Sequence, residues 1–370
     1  YGLAWHTGDN DDLYLTLQYG EVQAANRKIK EYAPRLQNLK WVNSETIGIN
    51  PHNVQDVPFI NSLQVQHQNT DYYEGYIQTG YYHDLTRNRI LLMCVNRRTD
   101  IADNPYGNLD SLEPSGYYNG SPTSPHNPQI LKITPSTDAN SVFGTHLALY
   151  DPYDDAIYKA VSDTISVEIG PGDGKLLEMC ATLPPDVATN STLANKAVLA
   201  GTINILPGVS VVTNSGTETK ILSNSVINIG SGASYTLRGD VTIEDGAKFV
   251  VSQNGSLNLD NANCIWGENS CIEVTGGMLS IGNSVLDSFP NIRWKGLDVS
   301  NADLVTIDSS TLKNAESHTI TNTDLYVLDS SFIIPENSTG LVLENSIPGH
   351  ITQITNSEHG YGFYGASNKN

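Results

Sequence analysis

The chain has 370 residues, a formal net charge of −20 and a sequence pI of about 4.6. So acidic a surface argues against nucleic acid and anionic membranes as partners. Charged residues make up only 16% of the chain, so it is not a disordered acidic tail. No stretch of about 18 consecutive apolar residues occurs, and we therefore expect no membrane insertion.

Residues 1–46 differ in pattern from the rest of the chain. Apolar residues recur at the spacing of one helical face, at Val22, Ala25, Ile29, Tyr32 and Leu36. Pro34 ends or kinks this helix near Ala33. The segment is predicted to form a short strand and a helix. That helix must pack against another part of the protein, because one amphipathic helix cannot bury its own apolar face.

Residues 47–183 change to the period-two alternation of β-strands. Candidate strands lie at 62–67, 72–85, 89–98, 130–135, 146–151, 162–170 and 174–180. Short strands separated by Pro, Gly, Asn and Asp predict an antiparallel β-sandwich. Residues 184–197, rich in Pro, Asn and Thr, are predicted to be a linker.

From residue 198 to residue 355, short β-branched segments alternate with tight turns. Four turns place a small or polar residue before Gly, at 231–233, 245–247, 254–256 and 276–278. Ser-x-Leu/Ile steps begin at Ser284, Ser310 and Ser331, a spacing of roughly one β-helix coil. Hairpins of a sandwich are the alternative. The pattern favours a right-handed parallel β-helix of about seven coils with a Val/Ile/Leu interior, followed by a tail at 356–370.

The predicted fold class is therefore mainly β. An antiparallel β-sandwich is followed by a right-handed parallel β-helix, and a short helical segment precedes both.

The four cysteines form an even set. Cys264 and Cys271 flank a six-residue loop that a disulfide could close, and this bridge is the predicted one. Cys94 and Cys180 lie in apolar strands that could be neighbours. The alternative is four buried thiols, because free Cys packs as a small hydrophobe. A cysteine metal site is not expected, since the sequence has no CxxC motif and no His near either pair.

Acidic residues crowd the first stretch of the chain. Asp9, Asp11 and Asp12, near His6 and Glu21, are candidate Ca²⁺ ligands or an acid–base group. The stretch lacks the length, central Gly and closing Glu of an EF-hand loop, so a solvated turn is the competing interpretation. The acidic turns at 151–156 and 171–174 have the same two interpretations. No other cofactor is predicted.

One cluster in the β-helix has the residue types of a ligand site. Arg293, Lys295 and Asp298 surround Trp294. Enzymes that cleave acidic polysaccharides need such cations and carboxylates on one face, to neutralise the substrate and move a proton. The competing interpretation is that Trp294 packs inside a coil and its neighbours keep the surface soluble. No nucleophile-elbow, zinc-protease, P-loop or dinucleotide motif is present.

Several short motifs resemble a known class of proteins. LLMCVNRR (91–98) and SVEIGPGDGKLLEM (166–179) resemble the β-sandwich that follows the catalytic barrel in secreted glycoside-hydrolase-like proteins. The resemblance implies that residues 1–46 are the end of a TIM barrel, in a partial or processed chain. The β-helix turns and the step WKGLDV (294–299) resemble the β-helical regions of multidomain cargo of the type IX secretion system. No catalytic residue is implied, because the barrel's catalytic part would lie outside this chain.

These patterns favour an extracellular or cell-surface protein without catalytic activity of its own. A structural or adhesive role is expected, as a fibre or stalk subunit that associates head to tail. The alternative is a glycan-binding or polysaccharide-degrading protein. A glycan could also bind to tyrosines on one strand face, Tyr72, Tyr73, Tyr76, Tyr81 and Tyr82.

Overall fold

The structure is a computed structural model. It describes residues 39–48, 51–66, 77–96, 129–170, 173–333 and 340–345, with short pieces at 6–7, 13–14, 27, 30, 352–355, 358–359 and 363–368. Arg27 and Lys30 have helical backbone, and the rest of the predicted N-terminal helix lies outside the described residues. The fold is mainly β. Within the described ranges, the helix that is seen from end to end is Thr137–Phe143.

The N-terminal half contains twelve strands within the described residues. They are β1 (His6–Thr7), β2 (Leu13–Tyr14), β3 (Lys40–Ile47), β4 (His52–Asn53), β5 (Ile60–Gln66), β6 (Ile77–Asp84), β7 (Arg89–Asn96), β8 (Gln129–Pro135), β9 (Leu147–Asp151), β10 (Ala156–Val161), β11 (Thr164–Ile169) and β12 (Gly174–Ala181). β1 and β2 pair only with each other.

Antiparallel pairing organises the ten strands β3–β12. One sheet has the order β3–β6–β7–β12–β9–β10, and a second has the order β4–β5–β8–β11–β10, so β10 belongs to both. Inward-facing side chains such as Leu63, Leu92, Ile133 and Val167 are fully or almost fully buried. Antiparallel pairing was predicted for this region and is observed; the sandwich arrangement of its sheets stays a prediction.

The second half is a β-solenoid of about seven turns. Its strands are β13 (Asp186–Val187), β14 (Ser191–Leu193), β15 (Lys196–Leu199), β16 (Thr202–Ile205), β17 (Ser210–Thr213), β18 (Glu218–Ile221), β19 (Val226–Ile229), β20 (Ser234–Ile243), β21 (Lys248–Val251), β22 (Ser256–Trp266), β23 (Cys271–Thr275), β24 (Met278–Gly282), β25 (Val285–Ser288), β26 (Gly296–Ser300), β27 (Leu304–Asp308), β28 (Thr311–Lys313), β29 (Ser317–Thr321), β30 (Leu325–Leu328), β31 (Ser331–Ile333), β32 (Gly340–Asn345), β33 (Thr352–Thr355), β34 (Glu358–His359) and β35 (Phe363–Asn368).

Each coil contributes a strand to three parallel sheets. Sheet 1 is β13–β16–β19–β21–β23–β26–β29–β32–β35. Sheet 2 runs from β14 through β17, β20, β22, β24, β27 and β30 to β33. Sheet 3 runs from β12 through β15, β18, β20, β22, β25 and β28 to β31 and β34. The long strands β20 and β22 serve sheets 2 and 3 in turn.

Parallel pairing confirms the solenoid and excludes the hairpin alternative. β21 pairs with β19 and β23 in parallel, and β20 pairs with β22, so the strands of VTIE and KFVV do not form a hairpin. Equivalent residues stack in interior rows, for example Tyr235, Leu257, Leu279, Val305 and Leu325 in sheet 2. All five are buried, as expected for an interior of large apolar side chains. The right-handed sense of the helix stays a prediction.

The turns between strands use left-handed backbone where the sequence offers Gly or Asn. Gly232, Gly246, Asn254 and Gly276 all have positive φ, as the four predicted turns require. The predicted Ser-x-Leu/Ile alignment is wrong by one residue at its last member. Register places Ser331, not Ser330, opposite Thr311, so the serine equivalent to Ser310 is Ser330.

Buried hydroxyls explain why serine recurs at these corners. Ser310 Oγ donates to the Asp308 carbonyl at 2.7 Å and accepts the Ser284 N–H at 3.1 Å. Ser330 Oγ in turn accepts the Ser310 N–H at 3.2 Å. Each serine therefore satisfies backbone groups of its own coil and of the preceding coil, which an apolar residue of similar size could not do.

The segment predicted as a linker forms the first coil. Within residues 184–197, β13 and β14 pair with strands of the next coil, and β15 begins at Lys196. Polar Asn, Thr and Ser suggested a loop, but Val187, Leu193 and Ala197 alternate inward and are buried. β12 also pairs directly with β15 through Ala181 and Ala197. The antiparallel region and the solenoid therefore share one continuous sheet.

Candidate functional site

The predicted cluster around Trp294 is divided between the interior and the surface. Trp294 is fully buried, and its Nε1 donates to the Lys313 carbonyl at 2.8 Å. Lys295 and Asp298 are exposed on sheet 1, and Arg293 is half-buried. Gly296 has φ +101°, and a Cβ there would lie 1.8 Å from the Ser317 carbonyl oxygen. The competing interpretation, that Trp294 packs inside a coil, is the one observed, and a buried indole cannot reach a ligand on the surface.

Trp294 belongs to an aromatic column along the inside of the solenoid. Consecutive members are Tyr235, Phe249, Trp266, Trp294, His318 and Phe332, with ring centroids 4.8 to 6.1 Å apart. The two indoles stack at 4.8 Å with planes 20° apart. The recurrence of large rings between Tyr235 and Phe332 could have signalled this column in the sequence. Its role is packing, since none of its side chains reaches the surface.

All four cysteines are free and buried. The predicted Cys264–Cys271 bridge is not formed, because Cys264 points into the coil from sheet 3 whereas Cys271 lies on the outer side of sheet 1, where its Sγ is 3.5 Å from Glu273 Oε1. Burial raises the pKa of Cys264 to about 12 and, with Glu273 beside it, that of Cys271 to about 11. These thiols stay protonated at neutral pH and are poor nucleophiles.

The Ca²⁺ candidates lie partly outside the described residues. Asp9, Asp11 and Asp12 are not among them. The acidic turn at 151–156 is described, and its carboxylates are bound to lysines instead: Asp151 and Asp154 contact Lys175 at 3.0 and 2.8 Å. Across the described part of the chain, no group of three or more His, Cys, Asp or Glu is placed to hold a metal ion.

The tyrosine face proposed for a glycan is also divided. Tyr81 is fully buried, and its hydroxyl donates to Glu45 at 3.2 Å. Tyr82 is half-buried on the opposite face of the same strand, β6. Tyr72, Tyr73 and Tyr76 lie outside the described residues. Tyr81 and Tyr82 therefore cannot act on one ligand.

A charged network joins the antiparallel region to the first coils, and sequence reasoning missed it. Arg89 is 5% exposed and contacts Glu218 at 2.9 Å, Glu178 at 3.5 Å and the Asn195 side chain at 3.0 Å. Lys196 also pairs with Glu218. Burial by itself raises the pKa of Glu218, but the two cations outweigh it and lower the pKa to about 2. Only the folded chain brings Arg89 and Glu218 together.

A second contact holds the turn after β9 against the solenoid. Lys220 Nζ donates to Tyr150 Oη at 2.7 Å, Asp155 at 2.9 Å and Glu244 at 2.7 Å. Burial lowers the pKa of Lys220, but these hydrogen bonds outweigh burial and raise it overall. Beside this contact, Ala148, Tyr150, Cys180, Val198 and Leu222 form a small apolar cluster on the outer face of sheet 3. Strands of both regions contribute to it.

One Ser–His pair has the residue types of a nucleophilic site. Ser191 Oγ lies 3.3 Å from His146 Nε2, and also 3.0 Å from the Thr189 carbonyl, to which it donates. The serine hydrogen is thus used on a backbone oxygen, so the imidazole donates to the serine instead of accepting its proton. Ser191 is 3% exposed. This arrangement closes a turn and does not activate a nucleophile.

A scan against protein-family models matches no family, and searches of the curated proteins and of the solved structures match no protein. No helix within the described residues is long and apolar enough to cross a membrane.

Proposed function

We propose that this chain is a non-catalytic structural or adhesive protein of the cell exterior, working as a rigid rod or stalk. In this proposal a β-sandwich forms the N-terminal end, and a right-handed β-helix forms the shaft. The observation that carries it is the unbroken sheet from β9 and β12 into β15 and β18.

Rigidity follows from what crosses the boundary between the two regions. Backbone hydrogen bonds, the Arg89–Glu218 and Lys220–Asp155 ion pairs and the apolar cluster around Tyr150 all span it. A hinge would have to break several of these contacts at once, and the Arg89 side chain is largely removed from water. Such a junction transmits force between its ends, which suits a spacer.

Head-to-tail self-association is the assembly we propose for the rod. At the N-terminal end of the solenoid, β12 pairs with β15 and so covers the edge of sheet 3. The edge of sheet 2 is contacted by residues that follow the helix Thr137–Phe143, since the Thr145 N–H donates to the Thr192 carbonyl at 3.3 Å. At the other end the last described strands of the three sheets are β33, β34 and β35. A strand edge that no further strand covers favours pairing with another chain. A heterologous contact of this kind propagates as a filament unless it closes into a ring.

The extracellular location is supported by sequence alone. The Gly-, Asn-, Ser- and Thr-rich β surface and the resemblance to secreted glycoside-hydrolase-like proteins and type IX secretion cargo favour it. No cofactor is required for the proposed role, although Ca²⁺ at Asp9, Asp11 and Asp12 stays a prediction.

Small-angle X-ray scattering of the purified chain tests the rigid rod. We expect one elongated particle whose solenoid part measures about 30–35 Å along its axis, from about seven coils at roughly 4.8 Å each. Limited proteolysis with mass analysis should give no cut within 184–197. Scattering from two bodies at variable separation, together with cleavage in that segment, would contradict the proposal.

Sizing and electron microscopy over a range of concentrations test self-association. We expect fibres that a deletion of residues 1–38 abolishes, because the sequence of that segment predicts an amphipathic helix and the deletion leaves β3 intact. The matched control is Asp298→Lys on the lateral face of sheet 1, which should leave fibres unchanged. A monodisperse particle of one chain's mass at high concentration would refute the filament.

A further inference from the structure

A polar groove covers the outer face of the second antiparallel sheet. Two adjoining cavities form it, of about 570 and 660 Å³, and both are lined by Thr134, Lys159 and Ser162. Cavities of this size are in the range that holds small ligands. We call this feature the β8 groove; its floor is made by Ser62, Gln64, Lys132, Thr134, Lys159 and Ser166.

Strand alternation places polar side chains along the groove, beside apolar lining residues such as Leu63 and Val161. In β5 and β8 the inward residues Leu63 and Ile133 face each other in the core. Their neighbours point outward, so Gln64 lies beside Lys132, which in turn lies beside Ser166 of β11. Ser62 and Thr134 form a second polar pair one step along the strands. The groove thus presents parallel rows of hydroxyl and amide groups with lysines between them.

The lysines of the groove have no acidic partner among the described residues, unlike five other lysines of the chain. Lys175, Lys196, Lys220, Lys248 and Lys313 each lie within 4 Å of a carboxylate. Among the described residues, no carboxylate lies within that distance of Lys132 or Lys159. Lys159 Nζ donates to the Leu183 carbonyl at 2.8 Å, and Lys132 makes no hydrogen bond there. In a chain of net charge −20, two lysines without acidic partners leave a local excess of positive charge in the groove.

The cavity of about 570 Å³ adds further hydrogen-bonding groups to the β8 groove. Asn140, Thr145 and His146 line it, and burial lowers the pKa of His146, with Lys159 nearby acting in the same direction. Ser136 also lines this cavity, and its Oγ is shielded from solvent and has no hydrogen-bond partner among the described residues. Asp163 is the acidic residue of its lining. A buried hydroxyl without a partner is costly, and a ligand in the cavity could supply one.

We propose that the β8 groove binds an oligosaccharide that carries spaced carboxylate or sulfate groups. Sugar hydroxyls match the Ser, Thr and Gln side chains, and an acidic substituent matches Lys132 and Lys159 through charge-assisted hydrogen bonds. The chain's net charge of −20 disfavours a densely charged polyanion, although charges beyond about 8 Å are screened at physiological salt. This ligand site goes beyond the structural role and does not depend on it.

Isothermal titration with a defined oligosaccharide tests the groove. The probe is a hyaluronan hexasaccharide, which has one carboxylate per disaccharide, and a sulfated chondroitin hexasaccharide separates sulfate from carboxylate recognition. The neutral control is chitohexaose in its fully N-acetylated form, which carries no charge. We expect saturable one-to-one binding of at least one acidic probe, weakened by added salt, and no binding of chitohexaose.

Single substitutions test whether the oligosaccharide binds in the β8 groove. Lys132→Gln should weaken it at least about tenfold, because a charge-assisted hydrogen bond is lost, while leaving the melting temperature unchanged. Lys248→Gln, on the outer face of sheet 1, is the matched control and should bind as the parent does. The proposal is overturned if neither acidic probe binds, if chitohexaose binds equally, if Lys132→Gln has no effect, or if inorganic sulfate at equal concentration displaces the sugar.

Discussion

Acidification should destabilise this protein through one buried histidine, His318. Its side chain lies between Trp294 and Phe332, with ring centroids 5.5 and 5.6 Å away, and its Nδ1 accepts the Leu297 N–H at 3.3 Å. Burial lowers its pKa from 6.5 to about 3. The ring is therefore neutral in the folded protein over most of the pH range in which it would be protonated in the unfolded chain.

The sign and size of the effect follow from proton linkage. Because the folded pKa lies below the unfolded one, this contribution to stability is fully present above about pH 6.5 and is lost as pH falls toward 3. The loss is about 1.4 kcal/mol per pH unit, so His318 should lower the free energy of unfolding by roughly 3 kcal/mol between pH 7.5 and pH 4.5. His146 acts in the same direction, and a comparison of variants is therefore needed to isolate His318.

Urea unfolding at pH 7.5 and pH 4.5 measures this loss in the parent and in His318→Phe. The phenyl ring keeps the aromatic column but cannot accept the Leu297 N–H, which lowers stability by a similar amount at both pH values. The difference between the two pH values should shrink by about 2–3 kcal/mol in the variant. His83→Gln, on the partly exposed end of β6, is the control and should keep the parent's difference. An unchanged difference in His318→Phe would refute the assignment.

Three other predictions concern the junction, the coils and the thiols. Arg89→Ala should lower the free energy of unfolding by about 3–5 kcal/mol, because Glu178 loses the cation beside it. The control, Arg87→Ala at an exposed ion pair, should lower it by under about 1 kcal/mol. Equal effects of the two substitutions in urea unfolding would contradict the network. Leu257→Asp should unfold neighbouring coils as well as its own, seen as lost amide-exchange protection in β20 and β24, and protection retained there would argue against coupled coils. Alkylation of the unfolded chain without reductant should label all four cysteines, because all four are free thiols. Two cysteines left unlabelled would show that a disulfide is present after all.

The sequence by itself determined the solenoid. Gly and Asn at the corners, β-branched residues between them and the spacing of the serine steps predicted parallel coils with an apolar interior, because these features are local and repeat. Antiparallel pairing in residues 47–183 was equally readable from alternation. The same patterns left the function open, because a repeated packing motif carries no chemistry of its own.

Tertiary structure decided which face each residue occupies and what meets across the chain. A shift of one residue in a strand exchanges inside and outside, so Cys264 points inward while Cys271 points outward, and Ser330 replaces Ser331 in the serine row. Trp294, just before β26, packs in the core. The first coil was predicted to be a linker because it has few apolar residues. These residues are buried only by contact with the next coil and with the antiparallel sheet. Arg89 meets Glu218, and Lys132 lies among hydroxyls, only because strands distant in sequence pair side by side; no local pattern encodes such contacts.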